Sequence, residues 1–145
     1  MTATPAQPQA HPQPQPRIGV GAFIQDAAGR LLLVHRRRDP EAGHWGLPGG
    51  KLDFGETLEA AVRREIAEEL GVAIALDGLL CVVDQIDAAS HWVAPTYRAR
   101  ILAGTPAVQE PEALAGWGWY PLDALPAPLT QATRVALVAA KPQGA

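Results

Sequence analysis

Three glutamates, Glu65, Glu68 and Glu69, fall within one short stretch that begins at Arg64, and a pair of glycines, Gly49 and Gly50, precedes them. On a helix turning about 100° per residue, with Glu65 at zero, Glu69 lies at about +40° and Glu68 at about −60°. Leu58 and Val62 fall at about +20° and +60° on the same wheel, so two acids border or enter the stripe that faces a core. An ordinary amphipathic helix would put those acids on the opposite face. Like charges four residues apart repel, and an anion withdrawn from water needs a cation or takes up a proton instead. Oxygen donors without sulfur or imidazole favour a hard ion, Mg²⁺ with Mn²⁺ as a substitute. The chemistry such a cluster can perform is to hold a divalent metal ion.

The elements that position these residues are legible around them. Thr57 stands just ahead of the periodic run as an N-cap, and Gly71 follows Leu70 as a C′ residue able to take positive φ. Arg64 is next to Glu65 and diverges from it by about 100° around a helix, so it is expected to brace the loop or to orient an acid through surrounding groups. Glu56 reads as a structural acid ordering the loop before the helix. Gly49 and Gly50 let backbone approach a ligand closely, and the carbonyl of Gly50 is a candidate metal ligand.

Before the helix, residues 18–25 and 31–35 read as two strands joined by a turn at Asp26-Ala-Ala-Gly29, and a hairpin is expected. Arg36 and Arg37 at the end of the second strand are candidates for phosphate contact, since a guanidinium can offer two donors at once, while Arg38 reads as a solvated strand end. After the helix, residues 72–76, 79–86 and 92–102 read as strands. Pro95 removes a ladder donor from the last of these and predicts an edge or a bulge. Trp117, Trp119 and Tyr120 lie in a further short strand as packing residues, and residues 131–140 close the chain as a helix.

Composition sets the remaining bounds. The 145 residues, 48% hydrophobic, suit one compact domain over residues 17–140 with a real core. Residues 1–16 alternate Pro with Gln and Ala and carry no apolar run, which predicts a disordered or polyproline-like tail; 141–145 form a short C-terminal tail. A formal charge of −3 argues against coating a nucleic-acid polymer, while metal and local cations can still neutralise a nucleotide's phosphates. No apolar run approaches the roughly 18 residues needed to cross a bilayer, and the lone Cys81 fits a reducing compartment, so a cytoplasmic protein without membrane partners is expected.

Residues 50–72, GKLDFGETLEAAVRREIAEELGV, match Gly-x5-Glu-x7-Arg-Glu-apolar-x-Glu-Glu-x-Gly-apolar without a break. In this the chain resembles the MutT/Nudix hydrolases. The resemblance implies an α/β fold, an α/β/α sandwich with a mixed β-sheet, and Mg²⁺-dependent hydrolysis of a nucleoside diphosphate linkage. It implies metal ligation by Glu65, Glu68, Glu69 and the Gly50 carbonyl, Arg64 as the residue that orients Glu65, and a further acid from a later loop, Glu112 or Glu110. Glu65 is the candidate general base. For the nucleobase, Trp45, Trp92 and Tyr97 are the aromatic candidates. Relatives that act on ADP-ribose often carry a Pro about fifteen residues beyond the box, and those that act on dinucleoside polyphosphates a Tyr slightly farther on. Residues 87–90, Asp-Ala-Ala-Ser, supply neither. The layout looks more like the MutT-type enzymes that convert a nucleoside triphosphate, sometimes an oxidised one, to monophosphate and pyrophosphate. The alternatives are a pyrophosphatase for ADP-ribose or another nucleoside diphosphate derivative, and a non-catalytic nucleotide sensor. Relatives with this pattern are often homodimers, so dimerisation is an expectation carried by the resemblance.

Overall fold

The computed structural model describes residues 14–142, so most of the expected N-terminal tail and the last three residues lie outside it. The element order is β1 (Arg17–Ile24), β2 (Leu31–Arg36), β3 (Trp45–Gly46), β4 (Gly49–Lys51), α1 (Leu58–Leu70), β5 (Ala73–Ile86), β6 (His91–Ala103), β7 (Leu114–Tyr120) and α2 (Gln131–Ala140). A four-stranded mixed sheet runs β4-β1-β6-β5, with β1 and β6 parallel, and a three-stranded antiparallel sheet runs β3-β2-β7.

The helices cover opposite faces of this sheet layer. Val20, Ala22 and Ile24 of β1 and Leu32 and Val34 of β2 pack with Ala61, Val62, Ile66 and Leu70 of α1. Phe23, Leu31 and Leu33 from the same strands pack with Ala136 and Leu137 of α2. The result is the α/β/α sandwich with its mixed sheet. Strands apolar on both faces belong in the interior of a layered fold, which explains why these two read as continuous apolar runs.

That double burial also overturns the hairpin. The turn forms, with Asp26 Oδ1 accepting from the backbone N–H groups of Ala28 and Arg30 and Gly29 at φ 81°. The strands then part into different sheets and share only the Gln25–Leu31 bridge. Each already has neighbours along both edges, β4 and β6 for β1, β3 and β7 for β2. Residues 73–86 form one strand instead of two, with register shifts around Leu79 that absorb the positive φ of Gly78.

Pro95 departs from expectation as well. Its strand β6 is interior, between β1 and β5, and Pro95 pairs with Val82 in register. The missing donor shows on the other side, where the ladder to β1 lapses between Ile18–Val93 and Gly21–Thr96 and resumes in the same register. That interruption lies beside the cavity described next.

Candidate active site

The acidic helix is held at both ends. Thr57 caps it by accepting from the Ala60 N–H at 3.1 Å, and Gly71 takes the left-handed conformation at φ 70°. The loop before β7 then docks on its C-terminal turn, where backbone N–H groups of Gln109 and Ala107 donate to the carbonyls of Glu69 and Leu70 at 2.9 and 3.0 Å. These contacts satisfy carbonyls that a helix end leaves open, and they bring Glu110 to the same cavity as Glu65 and Glu69. At the other side, β4 lays Gly50 directly on Glu65: a Cβ at Gly50 would overlap the Glu65 carboxylate, and one at Gly49 would overlap the Val20 backbone. Only glycine permits this approach.

Arg64 is the hub of the charged groups. Its Nε and Nη2 donate to Glu56 at 2.6 and 2.9 Å, Nη2 also donates to the Lys51 carbonyl at 2.9 Å, and Nη1 donates to Glu65 at 2.9 Å and Glu68 at 3.2 Å. It braces the loop as expected. Its contact with Glu65 is direct, which corrects the view that helix neighbours must act through intermediaries, because the long side chain folds back where the backbone directions diverge. The Arg64 hydrogen bonds, with the Asp53 N–H, hold Glu56 down to about 2, and Glu56 in turn is the main cause of a strongly raised Arg64 pKa.

The two acids on the core side behave oppositely to Glu56. Glu69 is buried, 9% exposed, and has no ion-pair partner among the described residues. Burial, then the nearby Glu65 charge, pushes its pKa up to about 8, opposed by the Gly49 backbone N–H and the Arg36 charge. Burial also raises Glu65, with Arg64 opposing. Glu68 is half exposed and turned toward Arg64. Among the described residues no three His, Cys, Asp or Glu side chains are gathered closely enough to enclose an ion. The donor chemistry nevertheless fits one: an unpaired buried carboxylate, a second acid beside it, and the Gly50 backbone, all oxygen donors suited to Mg²⁺ or Mn²⁺.

A cavity of about 470 Å³ opens on Glu65, Glu69, Glu110 and Gly50. Of the arginines, Arg36 and Arg38 line it and Arg37 does not; Arg37 is exposed, its backbone tied to Ala113. The strand-end assignments of Arg37 and Arg38 are therefore exchanged: the strand ends at Arg36, and the bend that follows it sets Arg38 at the cavity. Glu110 reaches the cavity, whereas Glu112 is exposed and does not line it. Trp92 lines the cavity, with the Arg17 guanidinium 5.7 Å from its ring centroid. Trp45 instead stacks on His35 at 4.4 Å and meets Tyr120 edge-on, packing on the α2 side. Tyr97 is buried in the core beneath α1. Trp117 and Trp119 are partly buried against that same core and meet edge-on.

The cavity also contains residues that sequence reasoning passed over. Gly19 and Gly21 of β1 line it; a Cβ at Gly19 would come to 3.5 Å from the Trp92 ring, and one at Gly21 to 3.3 Å from Thr96 Oγ1. Glycines two apart in an otherwise apolar strand are a readable sign of close approach on one face. Glu41 and Gln85 also line it and carry no such local sign.

A NUDIX domain model matches residues 15–140. Among solved structures, the MutT NUDIX hydrolase of Burkholderia pseudomallei superimposes with a TM-score of 0.84 at 56% identity, covering 88% of this chain and 99% of that one. A Mycobacterium tuberculosis protein provisionally named an 8-oxo-dGTP diphosphatase is 43% identical over 102 residues, 67% of this chain and 69% of its own. The RNA pyrophosphohydrolase of Caulobacter vibrioides is 34% identical over 107 residues, 74% of this chain; the match spans only 53% of that relative's length. With Gly50, Glu65 and Glu69 of its signature at one cavity, Arg64 bonded to Glu65 behind them, and this likeness across nearly the whole described fold, the chain belongs to the Nudix family.

Proposed function

We propose that the chain hydrolyses a nucleoside diphosphate linkage, converting a nucleoside or deoxynucleoside triphosphate, oxidised or not, to monophosphate and pyrophosphate. The observation that carries this reading is the buried, unpaired Glu69 beside Glu65 at a cavity that also offers Arg36, Arg38 and Trp92. A volume of about 470 Å³ lies within the range of small-ligand sites. The acids are suited to hold a cation, the arginines to grip phosphate oxygens, and Trp92 to cover a base. The likeness to an 8-oxo-dGTP diphosphatase supports the same substrate class.

Glu65, Glu69 and the Gly50 carbonyl, with Glu68, would hold a divalent ion, which when bound would neutralise charge on the diphosphate and lower the pKa of water. The chain's own groups do the rest. Arg36 and Arg38 orient the phosphates, and Glu65 accepts a proton from the water that attacks phosphorus, while pyrophosphate departs with the bridging oxygen. Arg64 sets the Glu65 carboxylate for that transfer through its 2.9 Å hydrogen bond. Glu110, which lines the cavity with no ion-pair partner among the described residues, is the competing proton acceptor. Turnover of Glu65→Gln and Glu110→Gln at saturating metal, with metal affinity read by calorimetry, separates them: Glu110→Gln losing turnover with metal affinity kept makes Glu110 the base, and Glu110→Gln keeping turnover while metal-saturated Glu65→Gln loses it makes Glu65 the base.

The decisive experiment is a panel of nucleoside triphosphates, 8-oxo-dGTP, ADP-ribose and a short 5′-triphosphate RNA with Mg²⁺ or Mn²⁺, read by product identity. Monophosphate plus pyrophosphate from a free nucleotide is the expected result. AMP plus ribose phosphate from ADP-ribose would move the substrate class. A nucleotide that raises the melting temperature without forming product would make the chain a sensor.

A further inference from the structure

The loop between β2 and β3 is tied to two other elements by one side chain. Its backbone closes on itself, with the Gly43 N–H donating to the Arg36 carbonyl at 2.7 Å and the Arg36 N–H donating to the His44 carbonyl at 2.9 Å. Within it Glu41 stands at φ 63°, a left-handed conformation uncommon for a residue with a side chain. Its two carboxylate oxygens reach different elements. Oε1 accepts from Gln85 Nε2 of β5 at 2.9 Å, and Oε2 accepts from the Gln131 N–H at the start of α2 at 2.8 Å.

The Gln85 contact settles an orientation that an amide usually leaves open. An ionised carboxylate only accepts, so the Gln85 nitrogen must face Glu41. Its carbonyl oxygen has no protein donor among the described residues. Gln85 stands directly across the β5–β6 ladder from Trp92, which places the two side chains on one face as neighbours, and both line the cavity with Glu41. A flat ring beside a lone acceptor is complementary to a planar base that carries an N–H donor on its edge.

We propose that Gln85 is a specificity-determining residue that accepts a hydrogen bond from the edge of a base lying on Trp92, and that Glu41 is the positioning residue that turns the Gln85 carbonyl toward it. The favoured substrates are nucleotides whose base carries an amino group, and the purines test this with single-group changes. This rests on the nucleotide reading above and deepens it, because the box that grips the diphosphate leaves the base unselected.

Two substrate pairs isolate the contact: ATP against purine riboside triphosphate, and GTP against ITP, each differing by one amino group. The wild type should prefer the amino nucleotide of at least one pair by about 5–20-fold, the size expected when a site's acceptor is left unpaired, and the preference should lie in KM. Gln85→Ala and Glu41→Ala should bring that ratio to within about twofold. Glu41→Gln should keep most of it, since its amide oxygen still accepts from Gln85. Melting curves check folding of every variant, and affinities for the uncleavable α,β-methylene analogues repeat the comparison without turnover. A ratio unchanged in Gln85→Ala, or a wild type blind to the amino groups, overturns the proposal and leaves hydrolysis standing. A Glu41→Gln variant as indiscriminate as Glu41→Ala overturns the part given to Glu41. Binding preference without product would sink hydrolysis and keep the Gln85 assignment, whereas failure to bind any of the nucleotides overturns both.

Discussion

Glu56 and Glu69 belong to one site and titrate at opposite ends of the scale, and what each faces is the cause. Glu56 meets the Arg64 guanidinium and is held at about 2, below its ordinary 4.5. Its charged form is therefore favoured by folding, and the stabilisation it adds is complete above pH about 4.5 and lost as pH falls toward 2. Glu56→Gln should flatten the acid limb of a urea-melt series across that window. Glu69 is buried beside another acid, which outweighs the Gly49 N–H and the Arg36 charge, and is raised to about 8. The sign reverses: its protonated form is favoured by folding, so the contribution is present below pH about 4.5 and disappears as pH rises through 8. In chelator, stability should fall over that interval by an amount on the order of a few kcal/mol. Mg²⁺ should restore it, and Glu69→Gln should remove most of the slope and weaken the Mg²⁺ response, leaving the smaller part that belongs to Glu65. A chelated wild type with no slope between pH 5 and 8 would show that Glu69 is not an unpaired buried acid. The burial of Glu69 was already legible in the sequence, since its angle on the helix falls beside Leu58 and Val62. The depression of Glu56 was not, because Arg64 meets it from eight residues away.

The acidic helix illustrates how far local rules carry an element and where they stop. Its caps are sequence-local, and Thr57 and Gly71 take the roles their types predict. Thr57→Ala should cost about 1 kcal/mol in a denaturant melt, the ordinary worth of an N-cap. What lies against the helix is a different matter. The loop that caps its last carbonyls comes from residues 105–113, and only that docking determines that Glu110 faces the cavity and Glu112 does not. Two residues of the same type and spacing in an irregular loop offer no periodicity by which to choose between them. Trp45 and Tyr97 failed as base platforms for a related reason: an aromatic in a strand shows which elements it suits, while the register of the sheet decides whether it meets ligand or core. The contact of β4 with α1 is the most exacting of these junctions. Gly50→Ala would set a methyl group where the Glu65 carboxylate lies, so turnover should drop at least about tenfold through displacement of that acid, with the melting temperature much less affected. Equal losses in both would mean that Gly50 serves the fold and not the site.

At the scale of the whole molecule, the same strands that close the core also open the cavity. β1 is apolar on both faces at residues 22–24, yet carries Gly19 and Gly21 where it passes the gap in its ladder with β6. The hairpin reading failed because adjacency in sequence predicts pairing, whereas two strands buried on both faces each require their own flanking neighbours. This arrangement separates two kinds of perturbation that lie close together in space. Ile66 is fully buried between α1 and the sheets, and Ile66→Ala should cost about 2–5 kcal/mol by leaving a void. Its kcat and KM measured well below the melting temperature should stay near those of the wild type, because the helix backbone that carries Glu65 and Glu69 remains capped at both ends. Gly21→Val adds volume on the cavity side against Thr96, where a Cβ would already be at 3.3 Å. It should raise KM for a nucleoside triphosphate about tenfold or more while the melting temperature changes little, since a β-branched residue suits a strand. The pair forms a crossed test, and its outcome is diagnostic because each variant controls for the other. Should Ile66→Ala lose turnover in proportion to its stability and Gly21→Val retain normal KM, the substrate would have to bind away from the β1–β6 gap and the cavity would be a consequence of packing alone.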